Sequence, residues 1–423
     1  MGAMFSGTGQ KAMTSLNLGS NFNTLRVTNM NYMFNSTGRD KMTSLNLGSN
    51  FDTSNAQYME HMFSYTGYYS MTTLNLGSKF NTSKVKYMEY MFCGCGYNAL
   101  TSLDLGSNFD TSNVTNMASM FKACGYTTMT YFNLGSKFNT SKVTDMNSMF
   151  ARTGREKLVG FSLGDKFDTS KVTSMAWMFS ETGYTSMTSL DLGDKFDTSN
   201  VTNMIGMFNQ TGWVQMSSLN LGNKFNTSKV TDMRNMFFDT GSKLTSLDLG
   251  DQFYTTNVTN MIQMFENCGY SSMVSLDLGP AFTQIPSDQV KNWNNTETHE
   301  AYYKMFESTG KSGCVIHAPE SIFQDKNNFK LNTSATTGTI NWTRGTINPK
   351  YRTEWKKESA TLDTTNKNIK ITLRGTTNTA IAVDQYKSDV TSTLTKSNIK
   401  VYIDGVNATE SLNKLNAISL GNA

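Results

Sequence analysis

Proline, charge and long apolar runs are all scarce in this chain. Four prolines occur in 423 residues, and all of them (Pro280, Pro286, Pro319, Pro349) fall at residue 280 or later. The first 279 residues therefore meet no residue that deletes a backbone donor, as a hydrogen-bonded stack of chain requires. Charged residues make up 17%, well below the ~25% usual for soluble domains. The net charge of +4 is not gathered into a basic stripe, which argues against nucleic-acid binding. No run of ~18 apolar residues is present, so no segment reads as a spanning helix and no direct membrane insertion is expected. Histidine occurs three times (His61, His299, His317), never at metal-ligand spacing. Nucleophile-elbow and phosphate-loop signatures are missing as well. We therefore expect no catalytic residue, no metal, no cofactor and no enzyme.

Core-forming side chains are abundant by contrast: 28 Met, 26 Phe and 18 Tyr exclude disorder. They are arranged periodically. Met-Phe recurs with its methionine at Met4, Met33, Met62, Met91, Met120, Met149, Met178, Met207 and Met236, a step of 29 residues each time, then at Met264 after 28. A further copy, Met305-Phe306, follows an irregular interval. A period of this length marks one coil of a solenoid, which must stack on its neighbours to bury its apolar side.

Within one unit, Leu190 and Leu192 flank Asp191, the alternation of a strand with both leucines facing inward. Val201, Met204, Met207 and Phe208 then follow helical spacing, with Thr202 placed as N-cap and Gly212 as the residue after the helix. Each coil thus predicts a short strand, two turns and a short helix. Strands of successive coils would pair in parallel at ~4.8 Å. The predicted class is an α/β repeat solenoid over residues 1–279, about ten coils. An irregular last coil and C-terminal cap would follow at 280–333, then a Thr/Gly-rich linker at 334–351. In 352–423, Ile369, Ile371 and Leu373 alternate, as do Ile399, Val401 and Ile403 before Asp404-Gly405, which are strand and hairpin signals for a small all-β domain.

The L-x-L segment resembles a leucine-rich repeat. The extension F-[D/N]-T-S-[N/K]-V-T-[N/D]-M-x-x-M-F is similar to the BspA-like repeats of bacterial surface proteins, from residue 4 to about 333. The C-terminal stretch resembles a bacterial immunoglobulin-like domain, incomplete at Ala423. The start at Met1-Gly2-Ala3, directly inside a coil, reads as a truncated chain whose leader was removed. The resemblance implies a protein of the bacterial cell surface or a secreted one. It also implies an adhesin that binds host extracellular-matrix or mucosal protein or glycan, as a monomer. The alternatives are a spacer projecting another domain, and a carbohydrate-targeting module of a secreted enzyme.

Candidate surface residues follow from the repeat. The residue after the recurring glycine is Tyr68, Tyr97, Tyr126, Arg155, Tyr184, Trp213 and Tyr270, a row in a turn outside both apolar stripes. Such a row could meet sugar rings or protein hot spots, or could brace the coil edge. Tyr32, Tyr90 and Trp177, just before Met-Phe, form a second variable set. The Asn/Asp slot between the leucines (Asn46, Asn75, Asp104, Asn133, Asp191, Asn220, Asp248, Asp277) faces outward, as a hydrogen-bonded row or as a calcium ladder. Methionines on the Met30/Met33 stripe read as core filling rather than a copper path. Cys95, Cys124 and Cys268 replace the threonine of Thr66, Thr153 and Thr182, with buried free thiols or a Cys95–Cys124 bridge both open.

Overall fold

The computed structural model describes residues 1–283, 304–306, 308–311 and 314–319, and beyond these the backbone of seven strands between Thr346 and Ser419. The repeats form a parallel β-solenoid with one 29-residue coil per turn. The predicted strands are present at most of the L-x-L segments; Leu74-Asn75-Leu76 keeps only an isolated bridge from Asn75 to Asn46, and Phe161-Ser162-Leu163 forms no strand. β1 (Ser15–Asn17) pairs with β2 (Ser44–Asn46), β3 (Ser102–Asp104) with β4 (Tyr131–Asn133), and β5 (Ser189–Asp191) with β6 (Ser218–Asn220). β7 (Ser246–Asp248), β8 (Ser275–Asp277), β9 (Val315–Pro319) and β10 (Thr346–Tyr351) make one four-stranded sheet. Every one of these pairings is parallel with an apolar residue facing an apolar one (Leu16 on Leu45, Leu103 on Phe132, Leu276 on Ile316), so a one-residue slip would turn the core face to solvent, and the register shifts only between Pro349 and Tyr351. β10 lies within the stretch read from sequence as a linker.

The predicted helices are not there. Among the described residues the single helical element is the short turn Lys304–Phe306. The stripe instead runs as successive tight turns. Met204, Gly206, Phe208 and Gln210 donate their N–H groups to Asp232, Arg234, Met236 and Phe238 of the next coil, at 2.7–3.1 Å. The N–H groups of Met207, Asn209 and Thr211 close four-residue turns onto the carbonyls of Met204, Gly206 and Phe208. Thr202 is no N-cap, since its N–H bonds Thr173 of the preceding coil. Gly212 does hold φ +53°, but its N–H also goes back one coil, to Thr182. Left-handed residues recur at Gly206, Gln210 and Gly212 and at the matching sites of other coils. A left-handed third residue is what such a turn requires. Each turn returns the chain inward after three or four residues. Val201, Met204, Met207 and Phe208 are thereby fully buried, on the spacing an amphipathic helix would show.

Packing repeats along the axis. Phe5, Phe34, Phe63 and their successors to Phe306 form one column of rings 5.3–5.8 Å apart. A second column, with rings 6.1–6.5 Å apart, runs from Phe22 to Phe196 and from Phe225 to Phe282. Met30, Met33, Met59 and Met62 are wholly buried between them, as core. Two columns of buried threonine tie the coils together. Thr53, Thr82 and Thr140 donate to carbonyls of the next coil at 2.7–2.8 Å, while Thr66, Thr153 and Thr182 donate to Phe34, Phe121 and Phe150 of the preceding one at 2.6–2.8 Å. The glycine after L-x-L permits close approach: a Cβ on Gly48 would lie 2.0 Å from the Gly19 carbonyl oxygen.

The Met305-Phe306 copy is a true coil, its Phe306 stacked on Phe265 and its Met305 carbonyl accepting the Phe265 N–H. In the C-terminal segment, both predicted alternating stretches are strands. β11 (Lys356–Asp363) pairs antiparallel with β12 (Asn368–Arg374), which pairs in parallel with β14 (Ile399–Ile403), Ile371 opposite Val401. β14 turns antiparallel into β15 (Val406–Asn407), and β13 (Ala380–Ala382) pairs in parallel with β16 (Ala417–Ser419). Asp404-Gly405, read from sequence as a turn, and His299 lie outside the described residues.

Candidate binding face

The turn after the recurring glycine places the predicted row along one edge of the coils, and the row is continuous in space. Tyr68 stacks on Tyr97 at 4.5 Å and Tyr97 on Tyr126 at 4.4 Å. Arg155 continues the stack, its guanidinium 5.5 Å from the Tyr126 ring and 3.9 Å from Tyr184. Arg39, the residue in the same slot one coil earlier, caps the other end at 5.6 Å from Tyr68. Trp213 and Tyr270 stand apart, tilted at 6.4 Å, because Ser242 separates them. Backbone bonds hold the row: Asn98, Thr127 and Glu156 donate to Tyr68, Tyr97 and Tyr126, each at 3.0 Å.

Stacking decides what the row can do. Ring faces inside Tyr68–Tyr97–Tyr126 are covered by their neighbours, leaving little open face for a ligand. Burial pushes the Tyr97 hydroxyl far above the ordinary tyrosine range. Arg155 is fully engaged: its Nε donates to Glu181 at 2.9 Å, and it also pairs with Glu156. The Asn/Asp slot is also engaged. Oδ1 of Asn46, Asn75, Asp104, Asn133, Asp191, Asn220, Asp248 and Asp277 each accepts the N–H of the glycine two residues on, at 2.8–3.1 Å. Asn133 and Asn220 donate in addition to Asp104 and Asp191 of the coil before. This is the hydrogen-bonded row, with its inner oxygens committed to the backbone.

The cysteines are buried free thiols. Hydrogen bonding to Cys95, then burial, raises the Cys124 thiol well above its usual range, and burial pushes Cys314 up to about 11. Thiols so protonated are poor nucleophiles.

A second aromatic set, only partly visible in the sequence, lies in residues 32–90. Tyr32, His61 and Tyr90 stack at 4.5 and 4.6 Å. Tyr58 and Tyr87 stack at 5.8 Å on the strip just before the buried Met59 and Met88. Tyr65 and Tyr69 are exposed nearby in the repeat, and Trp177 covers Gly206, where a Cβ would meet its ring at 2.3 Å. Tyr58, His61 and Tyr87 escape a reading based on consensus, because they are departures from it. Their signal is the replacement of Asn or Asp by Tyr in two consecutive coils.

No curated protein and no solved structure matches the chain. A family model described as "Mycoplasma protein of unknown function, DUF285" matches four overlapping stretches, residues 1–132, 96–191, 125–212 and 182–335. These cover the whole solenoid and most of the chain, so this repeat protein belongs to the DUF285 family.

Proposed function

We propose that the chain is the ligand-presenting region of a bacterial cell-surface adhesin, acting without catalysis on a host matrix or mucosal protein. The observation that supports this reading is a stiff rod of near-identical coils whose outer strip is individualised by exposed tyrosines, Tyr32, Tyr58, Tyr65, Tyr69, Tyr87 and Tyr90, concentrated in adjacent coils. Tyrosine gives large contact area at low entropic cost and is enriched at interface hot spots. A repeated surface adds weak contacts through avidity. The C-terminal strands, read as an immunoglobulin-like domain, would hold the rod away from the cell.

The test is a binding screen of the chain over immobilised matrix proteins, mucins and a glycan array. Saturable binding to a protein, lost when Tyr68, Tyr97, Tyr126 and Trp213 are changed together in a folded variant, places the ligand on the row. Silence from a folded chain supports a spacer. That second reading is favoured by one observation: the row's rings spend their faces on each other. The same observation weighs against a carbohydrate-targeting module, since sugars stack on open ring faces.

A further inference from the structure

Residues 58 and 87 break a rule that six other coils keep; Ser174 is the other departure, with the Ala176 N–H bonding Asn147 of the preceding coil instead. At this slot Asn29, Asn116, Asp145, Asn203, Asp232 and Asn260 each accept the N–H two residues on, at 2.9–3.1 Å. Tyr58 and Tyr87 cannot make that bond, and instead stand 36% and 37% exposed. Three residues on, Tyr32, His61 and Tyr90 occupy left-handed backbone at φ 56–57°, where other coils use Ala3, Ser119, Ser148, Gly206, Asn235 or Gln263, and one other uses an aromatic residue, Trp177. Bulky side chains are disfavoured there. Both departures recur together in two consecutive coils only at residues 58–61 and 87–90, and such clustering is what functional sites show.

Between these two aromatic columns, in sequence, sit Glu60 and Glu89. The equivalent residues are Asn31, Ala118, Asn147, Ala176, Ile205 and Arg234, so paired carboxylates are peculiar to this patch. One oxygen of each, Glu60 Oε2 and Glu89 Oε2, is buried without a hydrogen-bond partner among the described residues. The ion pairs of the described residues all lie elsewhere, between Arg152 and Arg234. Two half-buried acids one coil apart, ~4.8 Å on the strand repeat, set negative charge beside aromatic rings, with the inner oxygens unpartnered and the outer part of each side chain open to solvent. Burial raises both carboxyl groups, the cost of leaving such acids unpaired.

We propose that the patch of residues 32–90 docks an arginine- or lysine-bearing segment of a partner protein, whose cations reach Glu60 and Glu89 between the Tyr58–Tyr87 and Tyr32–His61–Tyr90 stacks. The inference rests on the binding reading above and names its chemistry. The molecule contains its own precedent, since Arg155 lies 3.9 Å over Tyr184 while its guanidinium is held by Glu181 and Glu156. Guanidinium matches carboxylate geometrically and lies well on aromatic rings. A neutral glycan brings no charge to offset the carboxylates and finds the inner ring faces of the Tyr32–His61–Tyr90 stack covered.

The test uses the full chain and a labelled peptide of alternating arginine and serine, with its neutral citrulline counterpart, read by fluorescence anisotropy. The arginine peptide should bind saturably and weaken with salt, and the citrulline peptide should bind at least about tenfold more weakly. Glu60→Gln with Glu89→Gln should weaken it by about tenfold or more. Tyr58→Asn with Tyr87→Asn restores the turn used by the other coils, so it should keep or raise the melting temperature while losing the peptide. Equal binding of both peptides, no binding, or binding untouched by both double variants overturns the inference. If the peptide fails while the chain still captures a matrix protein, only this site falls. If matrix capture fails too, the adhesin reading falls with it.

Discussion

Asparagine and aspartate interchange freely at three slots of each coil because each slot asks for one Oδ1 acceptor. Asp52 and Asn81 cap Ser54 and Ser83, as Asn46 and Asp104 cap Gly48 and Gly106. Glu60 and Glu89 obey no such demand, and their titration shows it. Burial holds both carboxyl groups above the ordinary range, so the folded chain binds protons more tightly than the unfolded one. Stability then falls as pH rises through that window. Asp52 behaves oppositely: its hydrogen bond from Ser54 lowers it, and its contribution disappears as pH falls. We expect Glu60→Gln with Glu89→Gln to raise the melting temperature at neutral pH and to leave it unchanged well below pH ~4. A pH series of thermal melts checks this. A lower melting temperature at neutral pH would mean that the fold itself uses these charges.

At the scale of the element, the turn strip mimics a helix in its side chains and not in its backbone. Far-ultraviolet circular dichroism of the chain should therefore show a strand and turn spectrum without the paired minima of helix. A helical spectrum would refute the coil described here. The threonine columns are the other test at this scale. Thr140 is fully buried and its hydroxyl donates to the Asp168 carbonyl at 2.8 Å. Thr140→Val keeps the shape and strands that carbonyl, so it should cost about 1–3 kcal/mol by denaturant unfolding. A neutral result would show that water or a shift of the turn satisfies the carbonyl.

At the scale of the molecule, each coil touches only its neighbours, and stability accumulates as a chain of interfaces. Phe150 lies mid-column, fully buried, with Phe121 and Phe179 stacked on its two sides at 5.7 and 5.6 Å. Phe5 has one neighbour along that column, Phe34, and is only half-buried. Phe150→Ala should cost about 3–5 kcal/mol and Phe5→Ala roughly half as much or less. Chemical denaturation of both variants compares them. Equal costs would mean that the rod unfolds by a unit other than the coil.

Much was legible in the sequence: the period, the parallel L-x-L ladder, the inward Met, Phe and Leu, and the aromatic row as a row. These follow from side-chain pattern, because a repeat of 29 residues leaves stacking as the way to bury its apolar side. The DUF285 match covers the same repeats. Backbone conformation was not legible. Val201, Met204, Met207 and Phe208 show the spacing of a helix, but the N–H groups of Met204 and Phe208 find carbonyls 28 residues ahead once another coil is stacked on them. That choice between local and inter-coil bonding exists only in the assembled solenoid. The row's use was decided there as well. Tyr68, Tyr97 and Tyr126 are named by sequence, but only stacking at about 4.5 Å determines that their faces meet each other rather than a ligand. Likewise Glu60 and Glu89 are two ordinary acids until the fold sets them in adjacent coils, each with a buried oxygen left without a partner.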